Sequence, residues 1–261
     1  LRKKGNNSGV DYWKIARLVI ALGLMCFLLF SVSQRLSGNI EDVVIEIDKN
    51  ADRKNLITSK EVKAILKYEL GYEASLAEVG QIDLYGVEKA LMLNDRIDNA
   101  RVYLDKYNIL HVNVRQKRPI VRIDVSGGKD YYLDYRGDRV PVTDVFRVPV
   151  VTGHIDAYSS NYQSNVRNNL NAVVKIARKV HDDEFLTALV EQIYVDENDE
   201  LTLVPKVGRD KILLGQAEDL DEKIYKLKTY YERGIKNIGL DRFDELDLKY
   251  KGQIVGRQKD T

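Results

Sequence analysis

Hydrophobic and polar positions fall into three regimes along this chain. Residues 18–34, LVIALGLMCFLLFSVSQ, carry no charge and show no polar face. A helix of that length covers roughly 25 Å, against a bilayer core about 30 Å thick. Ile15 and Ala16 lengthen the run, and Lys14, Arg17 and Arg35 have stems long enough to reach past its ends. Tyr12 and Trp13 stand where interfacial aromatics belong. The pattern predicts a single N-terminal transmembrane helix over 15–34. A cleaved signal peptide competes with it, because Ser31-Val32-Ser33 offers the small residues of a cleavage site.

Beyond a linker at 35–39 the pattern becomes mixed. VVIEID (43–48) reads as a strand. Thr58-x-x-Glu61 has the form of a capping box, opening a helix with Val62, Ile65, Leu66 and Leu70 on one side and Gly71 as its stop. Leu84, Val87 and Leu91 mark a second short helix, with Asp83 as N-cap. Val102 and Leu104 alternate, Asp105–Asn108 turn, and Leu110, Val112 and Val114 alternate again. The order β-α-α-β-β over 40–117 predicts a small α+β domain.

From 118 to 261 short period-two runs dominate. PIVRIDV, DYYLD, VEQIYV, ELTLVP and DKILLG all read as strands. Two helices interrupt them. One, near 164–180, sets Val166, Leu170, Val173, Val174, Ala177 and Val180 on one face; the other, 218–233, gathers Leu220, Ile224, Leu227 and Tyr231. ELDLKY, a Lys251-Gly252 turn and QIVGR make a terminal hairpin. The expected fold class is therefore α+β: one membrane helix, a β-α-α-β-β domain, then a strand-rich C-terminal domain with two helices.

Composition changes this picture only in detail. With 261 residues, 44% hydrophobic and 31% charged, the chain has room for one span and one or two modest domains. Its net charge of +1 gives no reason to expect nucleic acid as a partner. The basic excess sits early, as Arg2, Lys3, Lys4, Lys14 and Arg17 against Asp11 alone. That asymmetry predicts a cytoplasmic stub over 1–14 and the remaining domains outside a cytoplasmic (inner) membrane. The single cysteine, Cys26, lies in the apolar run, so no disulfide framework and no cysteine metal site is available.

Candidate chemistry is sparse. The chain contains no G-x-S-x-G, H-E-x-x-H, P-loop or G-x-G-x-x-G signature. His181-Asp182-Asp183-Glu184 is the nearest thing to a metal cluster, and it reads better as a solvated helix end. His154 near Asp156 reads as a loop histidine. Arg136-Gly137-Asp138 spells an adhesion tripeptide, yet within YYLDYRGDRVPV it suits a hairpin corner, with Gly137 supplying positive φ and Asp138 favouring the turn. Sixteen tyrosines against five phenylalanines favour half-exposed sheets and interfaces over a dry pocket. No catalytic residue, cofactor, metal or small-molecule substrate is expected.

Taken together, the basic stub, one span, a POTRA-like β-α-α-β-β domain and a strand-rich domain ending in a hairpin resemble the bacterial cell-division family FtsQ/DivIB. The resemblance extends over nearly the whole chain. Arg118-Pro119 stands where the family opens its C-terminal domain a few residues past an acid, although Gln116 replaces that acid here. Asp134 and Gly137 in YYLDYRG match a hydrophobic-Asp-x-x-Gly turn, and VPVVTG (148–153) resembles a Leu-Pro-Leu-Leu-x-Gly segment, with His154 departing from the proline often found next. KILLG (211–215) and ELDLKYKGQIVG (245–256) resemble the late strands. The resemblance implies a non-enzymatic divisome scaffold that binds FtsB/FtsL-type membrane proteins and supports septal peptidoglycan synthesis. A POTRA-type export or assembly factor and a membrane-anchored periplasmic cell-wall hydrolase are the alternative readings.

The terminal hairpin is the candidate binding element. A final strand at a sheet edge carries unpaired N–H and C=O groups onto which a partner strand can add. Lys249, Tyr250, Lys251, Gln253, Ile254, Val255 and Arg257 are the expected partner-binding residues, the cations meeting acidic side chains and Ile254 or Val255 filling an apolar pocket. The same residues also suit an inert edge, on which Lys251, Arg257 and Lys259 deter aggregation.

Overall fold

The computed structural model describes residues 12–36, 38–49, 55–208, 210–235, 239 and 242–258. The basic stub up to Asp11, and Lys259, lie outside the described residues. Helix α1 runs Tyr12–Leu36, 25 residues, and its side chains from Leu18 to Phe30 are exposed and apolar on every side. That uninterrupted stretch is roughly 20 Å of helix. Among the described residues, no helix is long and apolar enough to cross a membrane.

The chain divides into two compact units, the first drawing on residues 1–46, 59–92 and 100–114, the second on 47–58, 93–99 and 115–261. The elements of the first arrive in the order β1 (Asp42–Ile47), α2 (Ser59–Leu70), α3 (Leu84–Met92), β2 (Ile97–Leu104) and β3 (Ile109–Gln116). The sheet order is β1-β3-β2. Gly71 ends α2 at φ +79°, and Asp83 accepts the Gly86 N–H (3.0 Å) at the start of α3. Val62, Leu66, Val87 and Leu91 from the helices, and Val102, Leu110 and Val112 from the strands, are buried in its interior.

The second unit is built on one nine-stranded mixed sheet. Its strands are β4 (Pro119–Ile123), β5 (Tyr131–Asp134), β6 (Arg139–Pro141), β7 (Val150–Gly153), β8 (Val190–Val195), β9 (Leu201–Pro205), β10 (Lys211–Gly215), β11 (Glu245–Asp247) and β12 (Val255–Arg257). Its helices are α4 (Leu170–Asp182), α5 (Glu184–Leu189) and α6 (Leu220–Thr229). The strand order is β12-β11-β10-β9-β8-β7-β4-β5-β6, with β4/β7, β7/β8 and β10/β11 parallel.

Period-two alternation turns this register into two faces. One row crosses all nine strands: Pro141, Tyr131, Ile123, Val151, Ile193, Leu203, Ile212, Leu246 and Gly256. It shares the main core with Leu170, Val173, Val174, Ala177 and Val180 of α4 and Leu220, Ile224 and Leu227 of α6. The neighbouring row, on the opposite face, reads Thr152, Tyr194, Thr202, Leu213, Asp247 and Val255 and is mostly half-exposed. One face on the main core explains the alternation of strands such as β9, whereas β5 is buried throughout because Leu56 and Phe146 cluster with Tyr132.

Two expectations need correction. The first long helix begins at Leu170 and not near 164, so Val166 is 94% exposed. Asn165, Asn168 and Asn171 explain this: Asn165 Oδ1 accepts the Arg167 N–H, Asn168 Oδ1 the Leu170 N–H, and the Asn171 amide donates to both their carbonyls. Such local bonds compete with helix formation. The domain also holds three α-helices where two were expected. Asp183 interrupts the chain with extended backbone and caps a new helix, α5, by accepting the Leu186 N–H (3.1 Å). The second expected helix stops at Thr229 and passes into a π-helical turn, Tyr230–Gly234.

Gln116, which stands in place of an acid, is 2% exposed and uses both ends of its amide. Its Oε1 accepts the Leu56 N–H (2.6 Å) while its Nε2 donates to the Asp48 carbonyl (2.7 Å), a donation that a carboxylate cannot make. Leu56, so held, packs with Tyr132, Val140 and Phe146.

The Arg136-Gly137-Asp138 tripeptide is the corner between β5 and β6. Buried Asp134 Oδ1 accepts the N–H groups of Arg136 (2.9 Å) and Asp138 (2.8 Å), and the Tyr162 hydroxyl donates to the Gly137 carbonyl (3.0 Å). Arg136 pairs with Asp98, and its carbonyl accepts from Gln163 (2.7 Å). Burial raises the Asp134 pKa above its usual value, with the Asp138 N–H pulling the other way. The native state therefore holds this proton more tightly than the unfolded chain, so stability falls as pH rises from about 3.8 through the native value. Asp134→Asn keeps the acceptor and removes the ionisation. It is expected to stay within about 1 kcal/mol of the parent at neutral pH and to lose ground to it on acidification. Urea midpoints of the full chain between pH 4 and 7 measure this.

Candidate partner-binding edge

The terminal hairpin is fixed from below by α6. Lys226 Nζ donates to the carbonyls of Leu248 (3.0 Å) and Tyr250 (2.5 Å), and Glu222 accepts the Gly252 N–H (2.8 Å) in the turn. The two residues lie one helical turn apart on α6, so one helix face holds the whole bend. Leu246 and Leu248 are buried, and Ile254 packs against the same core. A Cβ on Gly256 would lie 2.6 Å from the Phe243 ring, which fills the last place in the apolar row.

On the other face, Asp247 is 0% exposed. Its Oδ1 accepts the Lys249 N–H (2.9 Å) and its Oδ2 meets Arg257 Nη2 (2.9 Å) across the hairpin. Such a pair does more for register than for net stability, since burying the carboxylate costs about what the pairing returns.

The expected partner-binding residues divide accordingly. Ile254 is committed to the core, Arg257 to Asp247, and Lys249 to Glu200 at 3.0 Å, a carboxylate that also raises the Lys249 pKa. Tyr250 (46% exposed), Lys251, Gln253 and half-buried Val255 are the side chains offered outward. Lys226 and Glu222 escaped the sequence reading, because they act on backbone groups and their spacing looks like an ordinary surface pair.

The two ends of the sheet differ. At β6, Pro141 has no N–H, and the Arg139 N–H is taken by the Tyr158 hydroxyl (3.2 Å). At β12, β11 is the one neighbour, and no strand among the described residues covers its outer side. Other candidate chemistry is absorbed locally: Asp183 caps α5 and pairs with Lys228, and Asp156 accepts the Asn169 N–H (2.8 Å). Among the described residues, no group of three or more His, Cys, Asp or Glu side chains could hold a metal ion.

What these features define is a mixed α+β domain, rich in strands, that ends in a pinned hairpin at an open sheet edge. The family described as FtsQ/DivIB, C-terminal related, matches residues 118–257, from the residue before β4 to the end of β12. This chain belongs to the FtsQ/DivIB family, one of non-enzymatic, membrane-associated scaffolds in cell division that work through contacts with other division proteins. Comparison with individual curated proteins finds no match.

Proposed function

We propose that the chain is a single-pass divisome scaffold whose β12 edge takes up a strand from an FtsB/FtsL-type membrane protein, in support of septal peptidoglycan synthesis. The observation that carries this reading is the asymmetry of the nine-stranded sheet, blunted at β6 and open at β12. Pairing along the three residues of β12 supplies two or three hydrogen bonds, about 1 kcal/mol net each. A micromolar complex needs about 8 kcal/mol. Outward side chains must therefore supply the larger part, with Tyr250 and Val255 as apolar anchors and Lys251 meeting acid. In this reading Lys249, Ile254 and Arg257 set the strand's position, and Gln253 adds a polar contact to the partner.

The N-terminal half of the proposal rests on chemistry. The apolar side chains around α1 are exposed on all sides, a pattern stable only in a nonpolar surrounding. The helix continues to Leu36, and the basic residues before it orient the N-terminus to the cytoplasm. Strand order β1-β3-β2 and the sequence β-α-α-β-β support a POTRA-like assignment for 40–117.

The test is co-purification of the full chain with coexpressed FtsB- and FtsL-type proteins. Val255→Pro is expected to reduce capture about tenfold or more while the thermal midpoint stays near that of the parent. Capture at parental levels by this variant sinks the edge reading. A reporter enzyme active only outside the cytoplasm, fused after Thr261, tests orientation separately.

A further inference from the structure

The sheet reverses its direction of growth between two parallel neighbours. After β4 the chain passes through 124–130 to β5 on one side; after β7 it passes through 154–169 to α4 and then β8 on the other. The connections leave in opposite directions, which opens a crevice outside the carboxyl ends of the two strands. Open sheets with parallel strands bind their ligands at such a reversal. A cavity of about 500 Å³ lies there, between the residues that follow β4 and those that follow β7, with Tyr131, Arg139 and Tyr158 on its side. That volume is within the range of small-molecule sites.

Polar groups behind the lining hold the walls. Asn169, 4% exposed, donates through Nδ2 to the His154 carbonyl (2.9 Å) and to Asp199 (2.7 Å), and its Oδ1 accepts the Asp156 N–H (2.9 Å). Asp130 pairs with Arg122 and accepts the Val125 N–H (3.3 Å). The Arg139 guanidinium lies 4.6 Å over the Tyr131 ring and 6.0 Å from that of Tyr158. Stacking fixes an arginine fork without using its donors.

Four groups lining the cavity remain uncommitted. Among the described residues, the side chains of Arg139, Lys129, His154 and Asp124 have no hydrogen bond or ion pair. Both signs of charge are thus present around the cavity, on side chains exposed to solvent. A simple dianion would meet repulsion from Asp124 and Asp156. A flat sugar or aromatic ring finds the Tyr131 face already covered by Arg139.

We propose that this cavity binds a small zwitterion, an amino acid or a dipeptide, with its carboxylate on Arg139 and Lys129 and its ammonium on Asp124. The site is independent of the strand-docking reading, for β7 and β12 are five strands apart, roughly 24 Å.

Saturation-transfer NMR on the full chain tests it, with leucine, glycyl-leucine, N-acetyl-leucine, leucinamide and inorganic phosphate as probes. Leucine or glycyl-leucine is expected to bind with a dissociation constant on the order of 1 mM, and N-acetyl-leucine and leucinamide about tenfold more weakly. Binding of leucine alone identifies a free amino acid; binding of glycyl-leucine alone identifies a dipeptide. Arg139→Gln is expected to abolish binding and exposed Lys129→Gln to weaken it several-fold, with thermal midpoints reporting that each variant folds. In Asp124→Asn, leucine and N-acetyl-leucine are expected to bind alike. Absence of zwitterion binding, equal competition by phosphate, or indifference to Lys129→Gln and Asp124→Asn overturns the proposal.

Discussion

Gly153→Ala is expected to lower the unfolding free energy of the full chain by about 3–5 kcal/mol. Gly153 ends β7 at φ +100°, and a Cβ built there would lie 2.0 Å from the Val195 carbonyl oxygen. The obstacle is backbone, paired to Gly153 in the parallel β7/β8 ladder, so no side-chain rotation relieves it. Relief requires the last rung of that ladder to open, together with the His154 N–H bond to the same carbonyl (2.9 Å). Thr152→Ala, one residue earlier and half-exposed, is the control and should cost less than about 1 kcal/mol. Denaturant midpoints separate the two; equal midpoints would mean that β7 and β8 do not approach as described.

Asn169→Ala is expected to cost about 3 kcal/mol. The substitution strips partners from the Asp156 N–H and the His154 carbonyl at once, in a place where water cannot readily replace them. The backbone N–H of residue 169 still donates to Asp156, so α4 should keep its start while residues 154–156 loosen. Amide hydrogen exchange reads this directly: protection should fall at His154–Asp156 and persist in α4. Uniform loss of protection would instead mean that the residue matters only to global stability.

The parts of the fold legible in the sequence were those governed by local period. Alternation in VEQIYV, ELTLVP and DKILLG, and the stripe through Leu170, Val173 and Ala177, are each decided within one element. Errors arose where side chains competed with the backbone, as with the asparagines that delay α4 and Asp183 that starts α5. Short β6 and β7 offered too few residues to show a period. Strand order was beyond reach, because parallel pairs such as β4/β7 join residues whose proximity no local pattern encodes. The edge hairpin was foreseeable from its turn and alternation, but its anchoring was not. Nothing in Lys226 distinguishes an ammonium bound to two carbonyls from a solvated one.

On one side of the sheet, strand order follows chain order from β8 through β12. Domains fold as units, the N-terminal one first, during synthesis. From β8 to β11, each strand is covered on its outer side by the next one in the chain. The outermost border exists only once residues 255–257 have left the ribosome, so a truncated translation product would display a different rim, β10 or β11. Recognition at that rim would thereby double as a check that synthesis of this region is finished.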